Sequence, residues 1–337
     1  MDEYIVIKKA VLHILDNNMP TPVISDKELE MDSEIGEFLE NHIMKILNDN
    51  NLKKAEFIGE NNKVRNMCSG LKDDTDSFLD ISKDLAKMLF QIMYENVDIP
   101  PADFIFCLFD DGEDTSLAIL KLNYKIGFTH YVQQFKDGSE NMVIKNKTIL
   151  PSEGQRIDEG VLINLKDFSI KIIEKAYSIN GEKEYYLSNL FLLCSTDLSN
   201  NEKIKILDKA TRKISKKYFD DDFKKVASLK KSLGERLEDA DVIDVDELVE
   251  DVFKTDILAK EECITEIKKA GLPQRTISIS DKLPEKKLKS QKIKTDSGIE
   301  ISIPLDYYND KEKIEFVNNV DGTISIVIKN IGKITSK

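Results

Sequence analysis

The sequence predicts an α+β fold: an N-terminal antiparallel or mixed sheet with flanking helices, a helical middle segment and a small C-terminal β unit. Three observations predict it. Two early stretches carry apolar residues at helical spacing. The apolar runs between 102 and 198 are short and are broken by Asp-Gly and Asn-Gly turns. From Ser199 to about Ala270 the spacing turns helical again, and isoleucines then alternate with other residues near the C-terminus.

Taken in order, YIVIKKAVLHIL from Tyr4 is β-branched enough for a first strand, and NNMPTP breaks it. A first helix follows, with Ser25 or Asp26 as the expected cap and Ile35, Phe38, Leu39, His42, Ile43, Ile46 and Leu47 on one face. A second helix places Phe78, Ile81, Leu85, Met88, Leu89 and Ile92 on a continuous face, and Pro100 and Pro101 stop it. Next comes an antiparallel meander of runs such as DFIFCLF, TSLAILKLNYK and NMVIKNKTIL. The expected boundaries are an α+β domain over 1–198, a helical segment over 199–273, and a basic linker with a β unit over 274–337; the 337-residue length fits two domains or one domain with substantial extensions. The Ile-rich terminal strands, turning at Asp321-Gly322, either close their own chain's core or complete a sheet across a two-fold axis.

Composition narrows the function classes. No apolar run approaches the roughly 18 uncharged residues of a membrane span, and the first residues carry acids and no small-residue cleavage site, so a cytoplasmic protein is expected. Cys68, Cys107, Cys194 and Cys263 lie far apart, which signals neither a disulfide framework nor a zinc site. GxxxxGK[ST], HExxH, GxSxG and the Rossmann glycine fingerprint do not occur. His13, His42 and His130 sit apart and read as structural or surface residues. No catalytic residue, metal or cofactor is predicted.

Charge is sorted along the chain rather than mixed. The formal net charge is −13, from 62 Asp and Glu against 49 Lys and Arg. Yet Lys203 to Arg236 holds twelve bases against five acids, and Leu237 to Cys263 holds two bases against eleven acids. On a helix, Lys205, Lys209, Arg212 and Lys216 recur at spacings of four, three and four and form one stripe, with Lys213 and then Lys217 beside it. Leu207, Ala210, Ile214 and Tyr218 fall on the opposite side. Such a stripe suits a phosphate backbone, because each cation that neutralises a phosphate releases condensed counterions. The charge run alone also reads as a solvated helix face. A second basic piece, Lys282 to Lys294, with Lys286, Lys287, Lys289, Lys292 and Lys294, reads as a linker or loop that either lies along a groove or only adds solubility. The acidic stretch LEDADVIDVDELVEDVF is an amphipathic helix whose acids are solvated, meet a basic partner, or shield the cationic stripe.

Across most of its length the chain resembles a known family. AVLHILD at Ala10, ILPSEGQRIDEGVLINL at Ile149, and above all KTDSGIEISIPLDYYNDKEKIEFVNNVDGTISIVIKNI at Lys294 are similar to the 37 kDa nucleoid-associated proteins of bacteria, in their Gram-positive branch. The resemblance runs from about Tyr4 to Ile331. It implies a cytoplasmic protein at the nucleoid that binds double-stranded DNA as a homodimer, with no established enzymatic activity. It supplies no set of DNA-contacting residues, so the eleven cations named above rest on charge placement alone.

Three readings follow. The first is a DNA binder acting largely through the backbone, since Lys dominates and bidentate Arg, the commonest specific base contact, is scarce; a dimer would bridge or compact DNA. The second is an adaptor brought to the chromosome by a protein partner at the nucleoid, using the acidic stretch near Asp241 to Asp251. The third is a metal-dependent nuclease using Asp110, Asp111 or Asp114, although no Glu-x-Lys lies beside them.

Overall fold

A computed structural model describes residues 5–112, 114–219, 223–239, 242–254, 256–273, 276–278, 290–304, 307 and 310–333. The chain divides into two units, unit 1 over Met1–Ser199 and unit 2 over Asn200–Lys337. The fold is α+β, with an antiparallel seven-stranded sheet in unit 1 and helices followed by β hairpins in unit 2.

Unit 1 runs through β1 (Val6–Leu15), α1 (Ser33–Leu47), β2 (Lys53–Phe57), α2 (Lys63–Asp73), α3 (Phe78–Glu95), β3 (Ala102–Asp110), β4 (Thr115–Asn123), β5 (Lys125–Phe135), β6 (Gly138–Ile149), β7 (Glu159–Asn164), β8 (Ile170–Ile173), β9 (Tyr177–Ile179), β10 (Glu182–Glu184) and β11 (Cys194–Thr196). The large sheet has the order β1-β3-β4-β7-β8-β2-β11, every pairing antiparallel. Alternation along β3 shows how it is buried on both faces. Phe104, Phe106 and Leu108 join Leu85, Leu89 and Met93 of α3, while Ile105, Cys107 and Phe109 join Leu39, Ile43 and Ile46 of α1. Gly160 lets α1 approach closely, since a Cβ there would stand 2.6 Å from the Ile46 side chain.

The first helix starts later than expected. Asp32 caps α1 by accepting from the Ile35 N–H, whereas the Ser25 N–H donates to His13 Nδ1 and Asp26 pairs with Lys83. Two elements, β2 and α2, were not anticipated. KKAEF is short and charged, and α2 owes its start to Asn62, whose side chain accepts from the Arg65 N–H. The meander is also not one sheet. β5 and β6 leave it as a separate two-stranded ribbon, placing His130 mid-strand and exposed.

Two lysines are buried inside unit 1. Lys121 and Glu159 face each other across β4 and β7 with Nζ to Oε2 at 2.9 Å, and Tyr177 donates to the same oxygen at 2.6 Å. Burial depresses the Lys121 pKa, with Glu159 opposing that shift. Lys53 pairs with Glu174 at 3.4 Å and sits 4.0 Å from the Tyr185 ring centroid.

Unit 2 comprises α4 (Asn200–Tyr218), α5 (Phe223–Asp239), β12 (Val242–Asp244), α6 (Val245–Phe253), α7 (Ile257–Lys269), β13 (Thr276–Ser278), β14 (Ser290–Lys294), β15 (Glu300–Pro304), β16 (Ile314–Asn318) and β17 (Ile324–Ile328). α4 packs on α5 and α7, and α6 packs on α5 and α7. The acidic stretch is not one helix: it ends α5, crosses the short strand β12, and becomes α6, which Asp244 caps through the Asp246 and Glu247 N–H groups. The second basic piece is not all linker either, since Ser290 to Lys294 pairs with Glu300 to Pro304 as a hairpin. β16 and β17 form the hairpin around Asp321-Gly322. Ile303 and Ile314 are buried with Ala227 of α5.

Candidate nucleic-acid interface

The geometry of α4 follows from its burial pattern. Leu207, Ala210, Thr211, Ile214 and Ser215 are buried, and their spacing turns one face of the helix toward α5 and α7. Lys205, Lys209, Arg212 and Lys216 therefore stand exposed on the other side. Eleven steps of 1.5 Å from Lys205 to Lys216 make this row roughly 17 Å long, which spans about ten charges of a duplex. Tyr218 departs from the expected inner face: it is 37% exposed and its hydroxyl donates to Glu262 at 2.6 Å.

Position around the helix decides which cations are already neutralised. Lys213 and Lys217 lie on the edge nearest α7. Lys213 pairs there with Glu266, and Lys217 with Glu262 at 2.6 Å. These bonds hold both carboxyl groups below their ordinary pKa and raise that of Lys217. On the other edge Arg212 donates to Asp208 at 2.9 Å, one turn away. Among the described residues, Lys205, Lys209 and Lys216 have no acidic partner within ion-pair distance. The acids that neutralise the cations beside the stripe thus come from α7, not from the acidic stretch over 237–253.

The acids of that stretch serve neighbours instead. Arg236 of α5 binds Glu247 and Asp251 of α6, the latter at 2.9 Å, and Lys260 binds Glu250 at 2.9 Å. Other bases of α5 are also committed. Lys225 donates to the Val252 carbonyl at 3.2 Å and stands 4.4 Å from the Phe219 ring centroid. Lys230 is half-buried, and its pKa falls through that burial and the nearby charge of Arg212.

In the second basic piece, Lys292 and Lys294 lie on β14, and Lys294 pairs with Glu300 at 3.2 Å. Lys286, Lys287 and Lys289 lie outside the described residues. They are not brought together with the α4 stripe by anything described.

The acidic loop in unit 1 is likewise spoken for. Asp110 accepts from Lys8 and from Thr115, both at 2.8 Å; burial raises its pKa, and these bonds outweigh that and hold it low. Asp114 accepts from Lys166 at 2.8 Å and from Asn164, which hold its pKa low. Among the described residues no group of three or more His, Cys, Asp and Glu is placed to hold a metal ion, and Glu113 lies outside them. His13 is fully buried, with Nε2 3.1 Å from Ser82 Oγ and Nδ1 accepting from Ser25. No helix among the described residues is long and apolar enough to cross a membrane.

Comparison with individual curated proteins finds no match. A family profile described as nucleoid-associated protein YejK matches residues 11–334. That match covers nearly the whole chain, including the sheet of unit 1, the cation row of α4 and the terminal hairpins, so the chain belongs to this nucleoid-associated family and its place is the nucleoid.

Proposed function

We propose that this protein binds double-stranded DNA through phosphate contacts, without strong sequence preference and without enzymatic activity, and that a homodimer bridges or compacts the duplex. The observation that carries the reading is the row Lys205, Lys209, Arg212 and Lys216 on α4, exposed and, but for Arg212, unneutralised by described residues in a chain of net charge −13. Long-range repulsion between that net charge and DNA favours a confined basic surface over a general coat. Family membership supports DNA as the polyanion. In this reading the chain works in three segments: 1–198 as the body, 199–273 as the DNA-facing helices, and 274–337 as a basic arm and β unit. Lys213, Lys217 and the cations from Lys286 to Lys294 are secondary contacts.

Bridging is tested by mixing purified protein with a bead-bound random-sequence duplex and a free labelled duplex. The reading predicts that the labelled duplex is retained at low salt, released as salt rises, and recovered intact in the presence of magnesium. Failure to bind either duplex would transfer the function to a protein partner, and cleavage would assign a nuclease.

A further inference from the structure

The β5–β6 ribbon is the most exposed regular structure among the described residues of unit 1. Its strands hold 23 residues, eleven in β5 and twelve in β6, and they pair only with each other. It grows from the middle of the large sheet, because β4 and β7, its neighbours in sequence, are adjacent central strands. The register puts Phe128, Val132 and Val143 on one face and Tyr131, Phe135 and Ile144 on the other. These six are 43% to 76% exposed, so neither face is covered. A lone two-stranded hairpin is marginal in water, and an uncovered apolar ribbon with two free edges calls for a partner.

Charge identifies that partner. Residues 1–199 hold 35 acids against 21 bases. Within them the ribbon, 125–149, reverses the sign, with Lys125, Lys136, Lys145 and Lys147 against Asp137 and Glu140. The rest of the unit is left with 33 acids against 17 bases, a net −16. A ribbon rooted in such a body is badly placed for a polyanion, whereas a second copy presents the same acidic body to it. Twenty-three residues also match the roughly 20–30 that each side of a standard stable interface uses. We infer that the ribbon is an arm that lies on unit 1 of a second copy of this chain, two arms being exchanged about a two-fold axis. The inference rests on the homodimer reading above and names the surface that makes it.

The test uses the full chain in analytical ultracentrifugation beside a variant carrying Phe128→Ser, Tyr131→Ser and Val143→Ser. All three positions are exposed, so the fold is expected to survive, and far-ultraviolet circular dichroism checks this. The arm predicts a wild-type dimer and at least a hundredfold weaker self-association in the variant. A photo-reactive residue at position 128, placed in the otherwise wild-type chain, should cross-link to peptides of unit 1 in the second copy. A dimeric variant with cross-links elsewhere would overturn the arm and leave the dimer standing. A monomeric wild type would overturn both. Cross-linking of position 128 to added duplex would make the ribbon a DNA-binding element instead.

Discussion

Lysine sits in opposite surroundings in the two units. Unit 1, with 35 acids against 21 bases, draws Lys121 and Lys53 into its interior and ties them to Glu159 and Glu174. Unit 2, with 27 acids against 28 bases, keeps Lys205, Lys209 and Lys216 in water with no described partner. The side chain is the same, and the difference lies in what surrounds it. A buried ammonium needs a carboxylate because leaving it unpaired is costly, and once paired it has nothing to give a ligand. An exposed ammonium gains little from an ion pair, so leaving it free costs almost nothing and leaves it able to meet a phosphate. Cation counts alone therefore do not mark a binding surface; the distribution of acids around them does.

The largest effect should come from breaking the buried side of this contrast. Lys121→Met leaves Glu159 buried without its cation and should cost about 3–5 kcal/mol in urea unfolding, while Lys121→Met with Glu159→Leu should recover part of that loss. DNA binding by the folded fraction should not change. A single variant as stable as wild type would remove the structural role assigned to this lysine.

A slightly smaller effect is expected from pH. Burial, then the charge of Lys83, lowers the His13 pKa from 6.5 to about 4. Its neutral ring accepts from the Ser25 N–H, an arrangement protonation would break. The unfolded chain takes up this proton below about pH 6.5 and the folded chain only near pH 4, so the stability it contributes is present above pH 6.5 and lost as pH falls between these values. The linkage amounts to about 3 kcal/mol. Urea midpoints across that window should fall for wild type and fall less for His13→Leu. His13 is no part of the α4 row, so binding by the folded protein should not follow the same curve.

The smallest effect sharpens the exposed side. Glu262→Gln with Glu266→Gln removes the acids that hold Lys217 and Lys213. Freeing two cations should tighten binding about fivefold near 0.1 M salt and steepen the salt slope by about 2. No change in fluorescence anisotropy titrations would mean that the α7 edge lies away from the DNA.

Much of this arrangement could be read along the chain, and the unread part has physical reasons. The faces of α1 and α3 were legible because their apolar residues recur at 3.6-residue spacing, and the row on α4 because Leu207, Ala210 and Ile214 fix which side is buried. The neutralising acids of α7 were not legible: Glu262 and Glu266 lie 45 and 53 residues beyond the lysines they bind, and only the docking of α7 on α4 brings them together. The α1 cap lies beyond Ser25 and Asp26, which have the right chemistry but are engaged elsewhere: Ser25 Oγ bonds to Lys27 in its own turn, and the Asp26 carboxylate accepts from Lys83 of α3. The ribbon was read as part of one meander because its apolar alternation matches that of sheet strands, and periodicity carries no sign of whether a face is covered.

In the proposed function the α4 row is the surface that holds DNA. Its most direct test is equilibrium binding of a random-sequence duplex across a salt series, for wild type and for Lys205→Glu, Lys209→Glu, Arg212→Glu and Lys216→Glu combined. Four phosphate contacts predict a log–log salt slope of about −3.5 for each stripe engaged, lost in the variant together with at least ~100-fold in affinity at low salt. Equal affinity and equal slope for the two proteins would contradict the claim and move the DNA surface to another part of the chain.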